Sequence, residues 1–397
     1  MTSELVAVER VTRLRTPVVW FMAVAAALGT ASIYPLQPAI AAVAGSLGAS
    51  VAEIGTALAC GPVGYMLGLA FLVPLVDRLP PRTVISAQFW SLAVALAAAA
   101  AVGSPWLLGL TIGVIGAGSA VGAQLSSIAG RFADPARRAT VLGVVTAGIS
   151  AGILLGRILG GWLADALGWR PMLLLLAAAS AATAVAARAL LPAEYTTPST
   201  GYLSQLRSLP NLYARFPVLR LAATRGTLWF FAFCTIWSGL AVALSQPPFS
   251  YSPERIGLYA SAGLLGIPAT RIAGAWTDRV GPRRVILTGL TLAATATLLL
   301  GVTLSTPTVT LLCLALFDAG LFAAQVSNQS TVLALAPSTP ARFNSAYMLI
   351  YFLGGSAGTA FGATATTYFG WPPTTLASTL AVAIATAITL STRRAKQ

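Results

Sequence analysis

Apolar residues run through this chain in long blocks, and polar residues gather in short breaks between them. Twelve blocks reach about the 20 residues that a helix needs to cross a bilayer. They are centred near residues 30, 62, 93, 117, 150, 180, 233, 264, 293, 320, 352 and 382. The pattern predicts an all-α integral membrane protein with twelve transmembrane helices and short connections. The longest break, residues 192–218, is rich in Pro, Ser and Thr, and is expected to be a cytoplasmic linker carrying a short surface helix. It separates an N-terminal six-helix bundle (1–191) from a C-terminal one (219–397).

The two bundles repeat one another. "VDRLPPRTVI" (76–85) is echoed by "TDRVGPRRVI" (277–286), and "AQLSS" (123–127) by "AQVSN" (324–328), both at an offset of 201. The "GW" pair at 168–169 returns at 370–371. Six helices per half place corresponding segments on the same membrane side, so the halves form a parallel repeat about the membrane normal.

Composition supports lipid as the solvent. Of the 397 residues 57% are hydrophobic and only 9% charged, against roughly 25% charged in soluble domains. The net charge of +14 would suit nucleic acid, but its distribution points elsewhere. Arginines crowd the N-terminus (Arg10, Arg13, Arg15), the tail (Arg393, Arg394) and every second connection: Arg78 and Arg82, Arg131 to Arg138, Arg207 to Arg220, Arg279 to Arg284, and Arg342. The alternate connections hold little beyond Arg170 and Arg255. This positive-inside asymmetry predicts cytoplasmic termini and a lipid partner rather than nucleic acid. Histidine is absent and Cys60, Cys234 and Cys313 are isolated, so the usual general base and metal ligands are missing. Neither an enzyme, a metal site nor a cofactor is expected.

"GAWTDRVGPRRV" (274–285) and its first-half copy "VPLVDRLPPRTV" (73–84) resemble the inter-helix motif of the major facilitator superfamily, with Pro80 replacing the usual glycine of the first copy. The resemblance covers essentially the whole chain. It implies that Asp77, Arg78, Asp278, Arg279 and Arg283 form a cytoplasmic latch, the two aspartates bracing the facing half in the outward-open state. Gly143, Gly152, Gly156, Gly160 and Gly161 resemble the helix-5 motif of 12-span drug:proton antiporters, with Arg157 where proline is usual. That segment is implied to lie between the halves, turning Arg157 toward the other half or the central cavity. The helix-4 arginine of that branch is missing here.

An arginine at mid-membrane costs about 2.5–3.5 kcal/mol on insertion scales, so Arg157 demands a reason. Asp318, in "LALFDAGLFAAQ", is the acid lying well inside a predicted span. Its repeat counterpart is Ala117, and that of Arg157 is Thr359. At 1.5 Å per residue, Asp318 lies about 18 Å and Arg157 about 10 Å below the outer ends of their helices. The two are expected to pair and to carry proton coupling, or else to form a permanent ion pair. Tyr34, Gln37, Gln124, Trp237, Gln325 and Asn328 are the expected cavity lining for an amphipathic organic ligand. Trp229, Phe230 and Phe231 of the seventh helix are further candidates for that lining, although aromatics there also suit a membrane interface, and Trp237 is placed deepest.

These residues point to a monomeric secondary transporter of the bacterial inner (plasma) membrane, exporting small organic or drug-like molecules in exchange for protons by alternating access. Without a P-loop, the proton gradient is its expected energy source. A uniporter or importer of sugars or amino-acid-like metabolites is the alternative within the same fold. A membrane-embedded enzyme or a non-transporting receptor is the alternative outside it.

Overall fold

The computed structural model describes residues 14–134, 136–193, 211–335 and 340–391, and its regular structure is helical. A short apolar helix, α1 (Thr16–Ala31), precedes eleven helices that are long and apolar enough to cross a membrane. These are α2 (Val51–Asp77), α3 (Pro81–Ala101), α4 (Pro105–Phe132), α5 (Thr140–Leu167), α6 (Trp169–Leu190), α7 (Pro217–Ser245), α8 (Pro253–Val280), α9 (Pro282–Thr303), α10 (Pro307–Leu333), α11 (Phe343–Phe369) and α12 (Trp371–Ser391). Their outward faces carry large exposed apolar side chains such as Val94, Trp106, Val302 and Phe369, as lipid requires. The fold is that of a multi-pass membrane protein with two six-helix halves.

The first span departs from the expected continuous helix. It stops at Ala31 and resumes as Ile40–Leu47, because Pro35 and Pro38 lack backbone N–H groups and their rings clash with the preceding turn. The opened stretch carries Tyr34 and Gln37. The linker boundary also shifts: α7 begins at Pro217, inside the stretch read as 192–218, since proline suits the first helical turn. Residues 211–215 are already helical. Leu212 packs with Leu219, Val332 and Phe343, and the Tyr213 hydroxyl donates to the Ala346 carbonyl. Residues 194–210, Arg207 included, lie outside the described residues.

Each half contains a glycine ladder between two parallel helices. Gly148, Gly152, Gly156 and Gly160 of α5 face Ala23, Ala27, Ala31 and Pro35, and a Cβ on any of them would overlap that backbone. On α11, Gly354, Gly358 and Gly362 face Thr227, Phe231 and Thr235 of α7 in the same way. Residue numbers rise together on both partners, so each pair runs parallel. Glycines four apart let two helix backbones approach closely and gain dispersion contacts that lipid does not supply.

The repeated "GW" pair has a structural reason too. Gly168 and Gly370 adopt φ of 89° and 82°, which glycine tolerates. They start α6 and α12, each followed by a buried tryptophan whose N–H is satisfied: Trp169 by Ser46 Oγ at 2.8 Å and Trp371 by the Leu300 carbonyl at 2.7 Å.

The halves meet toward the end of the bundle away from the termini. There Gly161 of α5 packs on Pro253 and Gly257 of α8, and Gly55 of α2 on Ala363 of α11. Ser356 Oγ donates across the halves to the Ala59 carbonyl at 2.7 Å.

Candidate functional site

Between the halves lies a cavity of about 190 Å³. The break after α1 supplies Ile33, Tyr34 and Gln37; α2 supplies Pro62 and Tyr65; α5 supplies Ile149, Ile153 and Arg157. From the other half come Trp229, Phe230 and Phe233 of α7, Phe322 and Gln325 of α10, and Tyr351 and Phe352 of α11. The Phe230 and Tyr351 rings stack at 4.1 Å between centroids, and Tyr65 meets Phe352 across the halves at 4.7 Å.

Arg157 is 4% exposed. Its Nε donates to Gln37 Oε1 at 2.8 Å. The guanidinium carbon lies 4.5 Å from the Tyr34 ring centre, 4.7 Å from that of Trp237 and 5.8 Å from that of Phe233. A desolvated cation–π contact is worth about 2 kcal/mol and a hydrogen bond to a charged group about 1.5–3 kcal/mol. Together they offset the insertion cost of about 2.5–3.5 kcal/mol without a carboxylate. The expected direct pairing is therefore corrected: among the described residues no acid stands within ion-pair distance of Arg157. The indole of Trp237 intervenes, turning its face to Arg157 and its Nε1–H to Asp318 Oδ1 at 3.3 Å. Asp318 is 2% exposed, the one buried acid among the described residues. Its Oδ2 lies against Gly263 of α8, where a side chain would begin to crowd it.

Of the expected lining, Tyr34, Gln37 and Gln325 face the cavity. Trp237 does not; it underlies Arg157. Gln124 and Asn328 also fall outside the lining, because their amides bond to other groups of the protein. Gln124 Nε2 donates to the Leu72 carbonyl at 2.7 Å, where α2 distorts. Asn328 Nδ2 donates to the Ala222 carbonyl at 2.9 Å and to the Tyr347 hydroxyl at 3.2 Å. Of the other aromatics of the seventh helix, Trp229, 1% exposed, and Phe230 line the cavity, and Phe231 does not.

One functional candidate escaped the sequence reading. Arg225, a buried cation of α7, donates from Nε to Asn328 Oδ1 at 2.6 Å. The Tyr347 hydroxyl in turn donates to Gln325 Oε1 at 2.6 Å. The signal was visible as an arginine in the run "AATRGTLWFF".

Residues 19–270 and 227–397 match the profile described as Major Facilitator Superfamily. The chain belongs to this superfamily. Among curated relatives, the uncharacterized transporter YgaY of Escherichia coli O157:H7 is 29% identical over 90% of both chains. A probable transporter of Streptomyces coelicolor is 30% identical over 88% of this chain and 81% of that one. The same fold occurs in a bacterial homolog of the human lysosomal transporter Spinster (TM-score 0.77, 16% identity, 94% of this chain and 95% of that one). It occurs also in the nucleoside transporter NupG (TM-score 0.74, 14% identity, 94% and 99%).

Within this superfamily frame, the structure places the latch and glycine residues more narrowly than the resemblance implied. Asp77 stands 3.7 Å from Arg131 of its own half, not against the facing half. Asp278 and Arg279 are exposed. Arg283 donates to the Thr389 and Leu390 carbonyls at 3.3 and 3.1 Å, capping the end of α12, where a cation favours the helix dipole. Gly152, Gly156 and Gly160 pack within their own half, Gly161 alone of the five touches the other half, and Gly143 meets nothing within 4 Å. The antiporter-like spacing is thus mostly a packing device between α1 and α5.

Proposed function

We propose that this protein is a proton-coupled secondary transporter that moves small organic molecules by alternating access, in the efflux direction that the α5 likeness to drug:proton antiporters suggests. The observation that carries the reading is the Arg157–Trp237–Asp318 unit. It joins a charge lining the central cavity to a buried carboxyl group that can be loaded with a proton, across the boundary between the halves. The arginine asymmetry supports a bacterial inner membrane location with both termini cytoplasmic. With that orientation the contacts between halves lie on the outer side, which supports an inward-facing reading. The cavity is complete within one chain, in keeping with a monomer, and no bound cofactor is called for.

A second reading, uptake together with protons, is favoured by one observation: the charged group lining the cavity is a cation, so cargo and proton do not compete for one carboxylate. Purified protein in proteoliposomes with an imposed pH gradient decides. Asp318→Asn should abolish gradient-driven movement and leave exchange of labelled for unlabelled substrate measurable. Driven transport by that variant at the wild-type rate would sink proton coupling, and the direction of substrate movement separates efflux from uptake.

A further inference from the structure

The hydrogen bonds around the cavity have a fixed polarity. Arg225 can only donate, so Asn328 must turn Oδ1 toward it and its amide N–H groups toward the Ala222 carbonyl and the Tyr347 hydroxyl. The Tyr347 hydroxyl then accepts from Asn328 and gives its own hydrogen to Gln325 Oε1. The oxygen of Gln325 is engaged by that hydroxyl, and its Nε2 has no partner among the described residues. Gln37 is in the same condition. Arg157 also only donates, so it takes Gln37 Oε1, and the Gln37 amide N–H groups have no partner among the described residues. Both glutamines and the Arg157 guanidinium line the cavity. On these three residues the groups left without a partner are therefore N–H donors, those of Arg157 charged.

The same surface is unsuited to a cation. No acid lines it. The cavity-lining aromatic faces beside these donors, those of Tyr34 and Phe233, are occupied by the guanidinium of Arg157. The remaining wall, including Trp229, Phe230 and Phe322, calls for an apolar or aromatic body. We infer that the cavity binds organic anions: a carboxylate or comparable acidic group held by Arg157, Gln37 and Gln325, with an apolar or aromatic body against the α7, α10 and α11 side chains. The inference rests on the transporter reading but not on its direction.

The test is calorimetric binding to the purified full chain in detergent, without membrane or gradient. The probes are 1-naphthoate, its neutral amide 1-naphthamide, the cationic 1-naphthylmethylamine and inorganic sulfate. The carboxylate should bind at least about tenfold more tightly than the amide, as expected for hydrogen bonds to a charged group; the amine and sulfate should bind more weakly still. Arg157→Gln should bring carboxylate and amide to equal affinity, while Arg157→Lys, which keeps the charge, should retain the preference for the acid. Equal or tighter binding of the amide or amine by the wild type would overturn the inference. Sulfate matching naphthoate, or no binding of naphthoate at all, would do the same, as would a preference surviving in a folded Arg157→Gln protein. A chain that binds the acid but never carries it across proteoliposomes would instead fault the transporter reading. A chain that moves neutral or cationic organics without binding the acid would fault this inference alone.

Discussion

The two halves of the molecule share a scaffold and differ in chemistry. Both are built on a parallel pair of helices zipped by glycines: α1 with α5, and α7 with α11. On that common frame the residue following Gly156 is Arg157, and the residue following its counterpart Gly358 is Thr359. Arg157 reaches out to α7, whereas Thr359 turns its hydroxyl back to the Gly355 carbonyl of its own helix at 2.9 Å. Asp318 likewise has an alanine, Ala117, as its counterpart. Packing needs repeat because both halves face the same lipid. A charge inserted once breaks the symmetry, and it is tolerated where the opposite half supplies aromatic faces to hold it.

The largest difference between the halves should appear in substitutions at the paired positions. Arg157→Ala should lower transport by about a hundredfold, the loss expected from two charged interactions of roughly 1.5 kcal/mol each, while Thr359→Ala should stay within about twofold of wild type. Rates in proteoliposomes, normalised to folded protein, make the comparison. Equal losses at both positions would mean that the asymmetry is incidental.

The shared scaffold predicts the reverse pattern for the glycines. Gly156→Val and Gly358→Val should each destabilise by about 1–3 kcal/mol, because the added side chain meets backbone that cannot move aside cheaply. Gly143→Val, where nothing lies within 4 Å, should shift stability by only a few tenths of a kcal/mol, and upward, because valine suits a helix better than glycine. Thermal unfolding in detergent reads all three. A large gap between Gly156→Val and Gly358→Val would show that the ladders do not carry equal weight.

Much of this scaffold was legible in the sequence, because burial in lipid is written directly into long apolar blocks and the repeat into matched motifs. The break after α1 was written there too, in Pro35 and Pro38, but it lies inside a block whose hydropathy is unbroken. The site was legible in part. Arg157 and Asp318 stood out as charges in apolar runs, and Tyr34, Gln37 and Gln325 were found by position along their helices. The insertion of Trp237 between the two charges was not legible, since it depends on how α7 is rotated against α5 and α10. Gln124 and Asn328 misled for a related reason: an amide looks the same in sequence whether it faces a cavity or satisfies a stray carbonyl. The ladder on α11 was present as Gly354, Gly358 and Gly362, and it gains meaning from the α7 backbone that it meets.

The smallest effect is expected at the latch, where the halves differ again. Asp77 pairs with Arg131 of its own half at 3.7 Å, and its side chain is 54% exposed; Asp278 has no ion-pair partner among the described residues. An exposed pair of this kind contributes at most about 1 kcal/mol. If the halves rock as rigid bodies, a pair within one half survives in both states and shifts the balance between them by nothing. Any shift caused by Asp77→Asn must then come from a contact across the halves that forms when the end bearing the termini closes. The expected result is a move toward the state open at that end, by about 1 kcal/mol or fivefold in population, with Asp278→Asn moving it in the same direction and Arg131→Gln leaving it unchanged. Distances between spin labels placed on α2 and α11 near that end report the populations. A shift by Arg131→Gln as large as that by Asp77→Asn would locate the effect inside the N-terminal half and remove the latch role from Asp77.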